Sequence, residues 1–129
     1  MNGRYLLDTN IIIALFAAET LVIEHLRGAN EVFLSSVTVG ELYYGAYKSG
    51  HVTENLARIE DFVIHNIILG CDAETAQQYG VIKNNLRQKG RPIPENDIWI
   101  AAIAMQHGLT LVSRDVHFGE IQELNLESW

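Results

Sequence analysis

Apolar positions along the chain fall into short continuous runs that alternate with longer stretches of helical spacing. The runs at residues 4–8, 31–36, 66–70 and 109–113 are rich in branched side chains, which is typical of strands buried on both faces. A weaker run at 122–126 predicts one further short strand. Because parallel strands need crossover segments, this alternation predicts a parallel sheet covered by helices on both faces.

Between these runs, apolar residues recur at intervals of three and four. Helices are predicted at 11–16, 19–28, 36–48, 52–63, 72–90 and 97–107. Thr9 and Asn10 offer capping groups to the first of them. The helix at 72–90 opens on Asp72, a favourable N-cap, and ends at Gly90. Its predicted inward face comprises Ala76, Tyr79, Ile82 and Leu86.

Length and composition narrow the class of protein. A chain of 129 residues, 48% of them apolar and without low-complexity tracts, predicts a single globular domain over residues 1–129. No apolar stretch approaches the roughly 20 residues of a membrane span, and the N-terminus lacks a signal-peptide pattern. The single cysteine excludes an intramolecular disulfide. These features predict a cytoplasmic protein without a membrane segment.

The charge balance restricts the ligands that the protein can bind unaided. Sixteen acidic residues oppose nine basic ones, which gives a formal net charge of −7. Such a surface repels a polyanion unless a cation lies between protein and ligand.

Four acidic residues are placed where the predicted fold would bring them together. Asp8 ends the first strand, Asp115 follows the strand at 109–113, Asp97 opens a helix, and Glu41 lies one turn into the helix after the second strand. Each has an ordinary explanation as a cap, an Asx-turn, a loop residue or an exposed helix residue. At one sheet edge, however, the four would repel each other, and a hard divalent cation such as Mg²⁺ would offset that repulsion.

Four segments, taken in order, resemble the PIN-domain ribonucleases of the VapC toxin type. They are LLDTN at 6–10, TVGELYYGA at 38–46, ENDIWIAAIA at 95–104 and TLVSRDVHF at 110–118. The resemblance implies a PIN-like three-layer α/β/α sandwich with a mainly parallel sheet of four or five strands. It also implies an endoribonuclease that hydrolyses RNA phosphodiester bonds with Mg²⁺, or Mn²⁺, as the toxin of a VapBC-type pair.

The resemblance assigns roles to residues at matching positions. It implies a catalytic set of Asp8, Glu41, Asp97 and Asp115. Within this set, Asp8, Asp97 and Asp115 would be the metal ligands. Thr9 and Ser113 would orient ligands or water.

Contacts with substrate are less strongly indicated. Arg114, next to Asp115, and Arg91, in a basic stretch before Asp97, are candidates for binding the RNA backbone. Many relatives carry a further acid where this chain has residues 116–118, with Glu120 next, so a second metal ion and the roles of His117 and Glu120 stay open.

The resemblance also implies partners, and other functions remain to be weighed. VapC-like toxins are held inactive by a cognate antitoxin whose tail covers the acidic pocket, and they commonly form homodimers.

The main alternative is a degenerate PIN-like module that binds RNA or protein without cleavage. A haloacid-dehalogenase-like phosphatase would need a second Asp where Asn10 stands, and a receiver domain would need a lysine where Ser113 and Arg114 stand.

Overall fold

A five-stranded sheet with all strands parallel forms the centre of the computed structural model, which describes residues 3–129. The strands are β1 (Arg4–Leu7), β2 (Glu31–Ser35), β3 (Ile67–Leu69), β4 (Thr110–Val112) and β5 (Leu126–Glu127). Their order across the sheet is β3-β2-β1-β4-β5, which places β1 at the centre. The predicted parallel α/β fold is confirmed.

Helices connect consecutive strands. They are α1 (Thr9–Phe16), α2 (Thr20–Arg27), α3 (Ser36–Tyr47), α4 (Val52–Ile64), α5 (Ala73–Lys89) and α6 (Glu95–Gln106). A 3₁₀ helix (Val116–Glu120) lies between β4 and β5. The connection between β3 and β4 contains α5 and α6, which pack against each other.

Alternate residues of the central strands pack into two different hydrophobic cores, as the two-residue period of a strand requires. The first core contains Leu6, Phe33 and Leu111 of the strands, which pack against side chains of α5, α6 and the 3₁₀ helix. The second core contains Leu7, Leu34 and Val112 of the strands, which pack against side chains of α1, α2, α3 and α4. The sheet is therefore covered on both faces, and the three-layer sandwich is confirmed.

Two of the predicted strands differ in detail. The run at 66–70 was expected to be buried, but β3 is an edge strand and Ile67 is 53% exposed, because only β2 pairs with it. The last strand lies at Leu126–Glu127 rather than 122–126, because residues 122–123 form a turn and pairing with β4 begins only at Leu126.

The N-caps of two helices and the buried face of a third also differ from the prediction. Asp8, rather than Thr9 or Asn10, is the N-cap of α1. Pro94 is the N-cap of α6, so this helix starts at Glu95, two residues earlier than predicted. In α5 the capping box of Asp72 and Thr75 turns Thr75 inward against Gln106, and Ala76 is exposed instead.

Within residues 3–129, no single helix is long and apolar enough to cross a bilayer. Together α1 and α2 satisfy the requirements of length and composition, but they are bent by 108° and both place side chains in the second core.

Helix α6 is the most deeply buried helix of the fold, so its core side chains should dominate stability. Ile100 is fully buried on α6, whereas Ile64 at the end of α4 is 77% exposed. We expect Ile100→Ala to lower the free energy of unfolding by about 2–5 kcal/mol in urea denaturation. The same change at Ile64 should stay within about 0.5 kcal/mol. Equal effects of the two substitutions would contradict the burial of α6.

Candidate functional site

Asp8 is held at the carboxyl end of the central strand by both its backbone and its side chain. Its N–H donates to the Val112 carbonyl at 2.9 Å, which continues the pairing of β1 with β4. One carboxylate oxygen accepts from the Thr9 N–H at 2.8 Å, and the other accepts from the Ser113 hydroxyl at 2.7 Å. Asp8 is 5% exposed, so its carboxylate has a fixed orientation.

Asp97 is brought to the same edge by α6. It lies in the first turn of that helix, and its side chain is 12% exposed. It does not cap the helix, because Pro94 occupies the N-cap position without a side-chain capping bond. The helix dipole favours a carboxylate in the first turn, while the packing of α6 in the core fixes its position.

Asp115 reaches the cluster from the loop after β4. As the N-cap of the 3₁₀ helix, its carboxylate accepts from the His117 N–H at 3.0 Å, and its own N–H donates to the Ser113 hydroxyl at 3.0 Å. One carboxylate oxygen each of Asp97 and Asp115 and a ring nitrogen of His117 lie within 4.8 Å of one another. The structure therefore brings together residues that are far apart in the sequence.

Glu41 lies on α3 and is oriented by two neighbours of the other acids. Its Oε1 accepts from the Thr9 hydroxyl at 2.7 Å, and its Oε2 accepts from the Asn96 amide at 3.4 Å. Its negative charge acts on both Asp8 and Asp97. All four acids predicted from the sequence thus belong to one electrostatically coupled cluster.

Two asparagines complete this cluster and were missed as site residues in the sequence. The Asn10 amide donates to Asp8 and to Ser113, both at 3.3 Å, and its carbonyl accepts from the Arg114 N–H at 3.1 Å. Asn96 donates to Glu41. Asn96 is adjacent to Asp97, and Asn10 lies two positions after Asp8. In the sequence, however, an asparagine at either position is equally typical of a helix cap.

The electrostatics of the cluster follow from burial and mutual repulsion. The pKa of Asp97 is raised from 3.8 to about 6, mainly by burial and further by the charges of Asp8, Asp115 and Glu41, against the lowering effect of the bond from His117. Burial also raises the pKa of Asp8, against the lowering effect of the bonds from Ser113 and Thr9. Both carboxyl groups therefore hold a proton more readily than a carboxyl group in water does.

This donor set suits a hard divalent cation. The carboxylates supply oxygen ligands, the ligand type that Mg²⁺ and Mn²⁺ prefer, and a cation would offset the burial and mutual repulsion that raise the pKa values of Asp8 and Asp97. The residues present therefore fit a metal site.

The two arginines proposed as substrate contacts differ in their surroundings. Arg91 is exposed in the segment between α5 and α6. The Arg114 guanidinium instead forms an ion pair with Glu19 at 2.8 Å and donates through Nε to the Trp129 carbonyl at 2.8 Å. In this structure Arg114 fastens the loop after β4 to the rest of the protein, and RNA binding by it stays a prediction.

Comparisons with known proteins identify the family and the fold. The family model described as PIN domain matches residues 5–124. Ribonuclease VapC2 of Haemophilus influenzae is 42% identical, and tRNA(fMet)-specific endonuclease VapC of Shigella flexneri is 36% identical; each alignment covers 98% of both chains. The crystal structure of VapBC2 from Rickettsia felis bound to a promoter DNA fragment superposes with a TM-score of 0.90, at 31% identity and 98% coverage of both chains.

The raised pKa of Asp97 predicts a stability change with a defined sign. Between pH 4 and 6 Asp97 binds a proton more tightly in the folded state than in the unfolded state, so its contribution to the free energy of unfolding falls as pH rises through this window. In EDTA, Asp97→Asn should therefore be more stable than the wild type by about 1–3 kcal/mol at pH 7.5 and lose that advantage near pH 4.

Urea denaturation at both pH values measures this difference. The control is Asp61→Asn on α4, whose side chain is 80% exposed and which should change little at either pH. An Asp97→Asn variant that is destabilised at pH 7.5 in EDTA would contradict the electrostatic strain described here.

Proposed function

Since the chain belongs to the PIN-domain family and is a ribonuclease toxin of the VapC type, we propose that it cleaves RNA at the carboxylate cluster of Asp8, Glu41, Asp97 and Asp115. The observation that carries this proposal is the convergence of these acids at one sheet edge, where burial and mutual repulsion raise the pKa of Asp97 to about 6. Folding alone gives no reason to gather such groups.

We propose that Asp8, Asp97 and Asp115 hold Mg²⁺, with Mn²⁺ as an alternative, directly or through water. When bound, such a cation offsets the carboxylate charge, attracts the RNA phosphate and lowers the pKa of water in its shell. It would also reduce the repulsion between RNA and a protein whose formal net charge is −7.

The remaining residues position the acids or move a proton. Glu41 accepts a proton from the attacking water or contributes a further oxygen ligand, and the bonds from Thr9 and Asn96 fix its orientation for either role. The Ser113 hydroxyl donates to Asp8 and accepts from the Asp115 N–H, so it holds two of the proposed ligands in register. Exposed Arg91 is a candidate contact for the RNA backbone.

The substrate is an RNA whose identity the cluster itself does not encode. The Shigella flexneri relative carries the name tRNA(fMet)-specific endonuclease, at 36% identity to this chain. Initiator tRNA is therefore the first RNA to test, alongside other tRNAs and ribosomal RNA fragments.

Loss of a ligand should abolish cleavage without loss of the fold. We expect Asp8→Asn to lower the rate of RNA cleavage in Mg²⁺ by at least about 100-fold, because a neutral amide holds the cation poorly. Gel analysis of labelled RNA measures the rate, and circular dichroism checks folding. Asp61→Asn serves as the isosteric control and should retain full activity.

The same assay distinguishes the alternatives. Cleavage in Mg²⁺ that EDTA abolishes supports the ribonuclease, whereas RNA binding without cleavage under both conditions favours a degenerate PIN-like module. Release of phosphate from small phosphate esters would favour a phosphatase. Wild-type activity in Asp8→Asn would refute the assignment of the site.

We further propose that an antitoxin occupies a groove beside the site. The groove has a volume of about 370 Å³, lies between α1, α3 and α4, and is lined mainly by apolar side chains, including 56% exposed Ile13. Thr9 and Glu41 line it as well, so it is continuous with the acidic cluster. Its chemistry suits an apolar segment followed by a basic side chain that neutralises the carboxylates. Formation of a homodimer, which the family resemblance implies, stays a prediction.

A charge in the groove should weaken the antitoxin complex selectively. We expect Ile13→Asp to raise the dissociation constant for the cognate antitoxin by at least about tenfold in isothermal titration calorimetry, since it buries a carboxylate against apolar side chains. Ile64→Asp, on α4 but outside the residues that line the groove, should leave the affinity unchanged. Equal affinities for the two variants would argue against this groove.

A further inference from the structure

We propose that His117 is a nitrogen ligand of the catalytic cation, so that this chain has a mixed carboxylate and imidazole site. The inference rests on the proposed function, since it requires a cation at the carboxylate cluster. The sequence left the role of His117 open, and the structure places its ring against two of the proposed ligands.

The distances around the ring are those of atoms that can share one ion. His117 Nδ1 lies 2.9 Å from an Asp115 carboxylate oxygen and 3.5 Å from an Asp97 carboxylate oxygen. Ligands held at about 2.1 Å from one ion at right angles are separated by about 3 Å. Small side-chain rotations therefore suffice to bring these three atoms into one coordination shell.

The backbone around His117 is fixed on both sides. The His117 N–H donates to the Asp115 carboxylate at 3.0 Å, and the next residue, Phe118, is fully buried in the first core. The His117 side chain itself is 49% exposed, so its ring can adjust to a ligand without disturbing core packing. A residue with a fixed backbone and an adjustable ring suits a metal ligand.

A second explanation uses the same nitrogen. As an imidazolium, His117 would be only a counter-charge to Asp97 and Asp115. The two roles exclude each other, because a ring nitrogen that donates a proton to a carboxylate has no lone pair for a metal ion. A measurement that detects the metal–nitrogen bond therefore decides between them.

A nitrogen ligand would alter the choice of metal ion. Mg²⁺ prefers oxygen ligands, whereas imidazole suits later first-row ions such as Co²⁺, Ni²⁺ and Zn²⁺. With His117 in the shell, we expect the site to favour Co²⁺ over Mg²⁺ more strongly than carboxylates alone would.

The decisive experiment is electron spin echo spectroscopy of the Mn²⁺ complex of the purified protein. Wild-type protein should show ¹⁴N modulation from a directly bound imidazole, and His117→Gln should lack it. The matched control is His65→Gln, which removes a histidine that also faces an acid, Asp61, at 3.6 Å, but lies at the end of α4. This control should keep the ¹⁴N signal.

Calorimetry of metal binding supplies an independent measure. We expect His117→Gln to weaken Co²⁺ binding by at least about tenfold, the lower end of what loss of even an indirect metal contact costs. Mg²⁺ binding should fall much less, because carboxylate oxygens and water dominate its shell. Thermal unfolding of the metal-free variant shows whether the fold is preserved.

The outcomes separate this inference from the proposed function. If Mn²⁺ binds the wild type without ¹⁴N modulation, and Asp97→Asn abolishes that binding, the carboxylate site stands and the role of His117 as a ligand is wrong. Retention of the ¹⁴N signal in His117→Gln has the same meaning. If neither Asp8→Asn nor Asp97→Asn affects Mn²⁺ binding, the proposed metal site fails, and this inference fails with it.

Discussion

Repulsion among four carboxylates at the edge of one parallel sheet is the constraint around which this structure is arranged. Asp8 extends the central strand, Asp115 follows the neighbouring strand β4, and Asp97 is carried by the buried helix α6. The negative charge of Glu41 acts on Asp8 and Asp97. Such a cluster persists only if the surrounding packing prevents the charges from moving apart.

The protein offsets part of this repulsion with its own groups. Two of the acids cap helices, Asp97 lies at the positive end of a third, and the Ser113 hydroxyl joins Asp8 to the loop of Asp115. The compensation is incomplete, because burial and the remaining repulsion raise the pKa of Asp97 to about 6. In the proposed function a divalent cation completes it, and the same cation would allow an acidic protein to bind RNA. The proposed cation would therefore affect both the stability of the fold and the cleavage of RNA.

The sequence predicted whatever depends on local pattern or on the motifs of the family. Continuous apolar runs and the 3.6-residue period predicted the parallel sheet and its helices, and the positions of the acids after strands and near helix starts predicted that they meet at one edge. Features set by long-range contacts were not predictable: β3 is exposed because it lies at the sheet edge, and Arg114 is paired with Glu19 across 95 positions. The Asn10 and Asn96 amides belong to the same class, since a single sequence does not show which distant acid an amide reaches.

The proposed function requires that the carboxylates of Asp8, Asp97 and Asp115 share a cation. Anomalous diffraction from crystals soaked in Mn²⁺ tests it most directly. We expect a strong peak about 2–2.5 Å from carboxylate oxygens of at least two of these residues, with no comparable peak in Asp97→Asn crystals. A saturating soak that leaves this cluster without a peak, or a peak that persists unchanged in the variant, would contradict it.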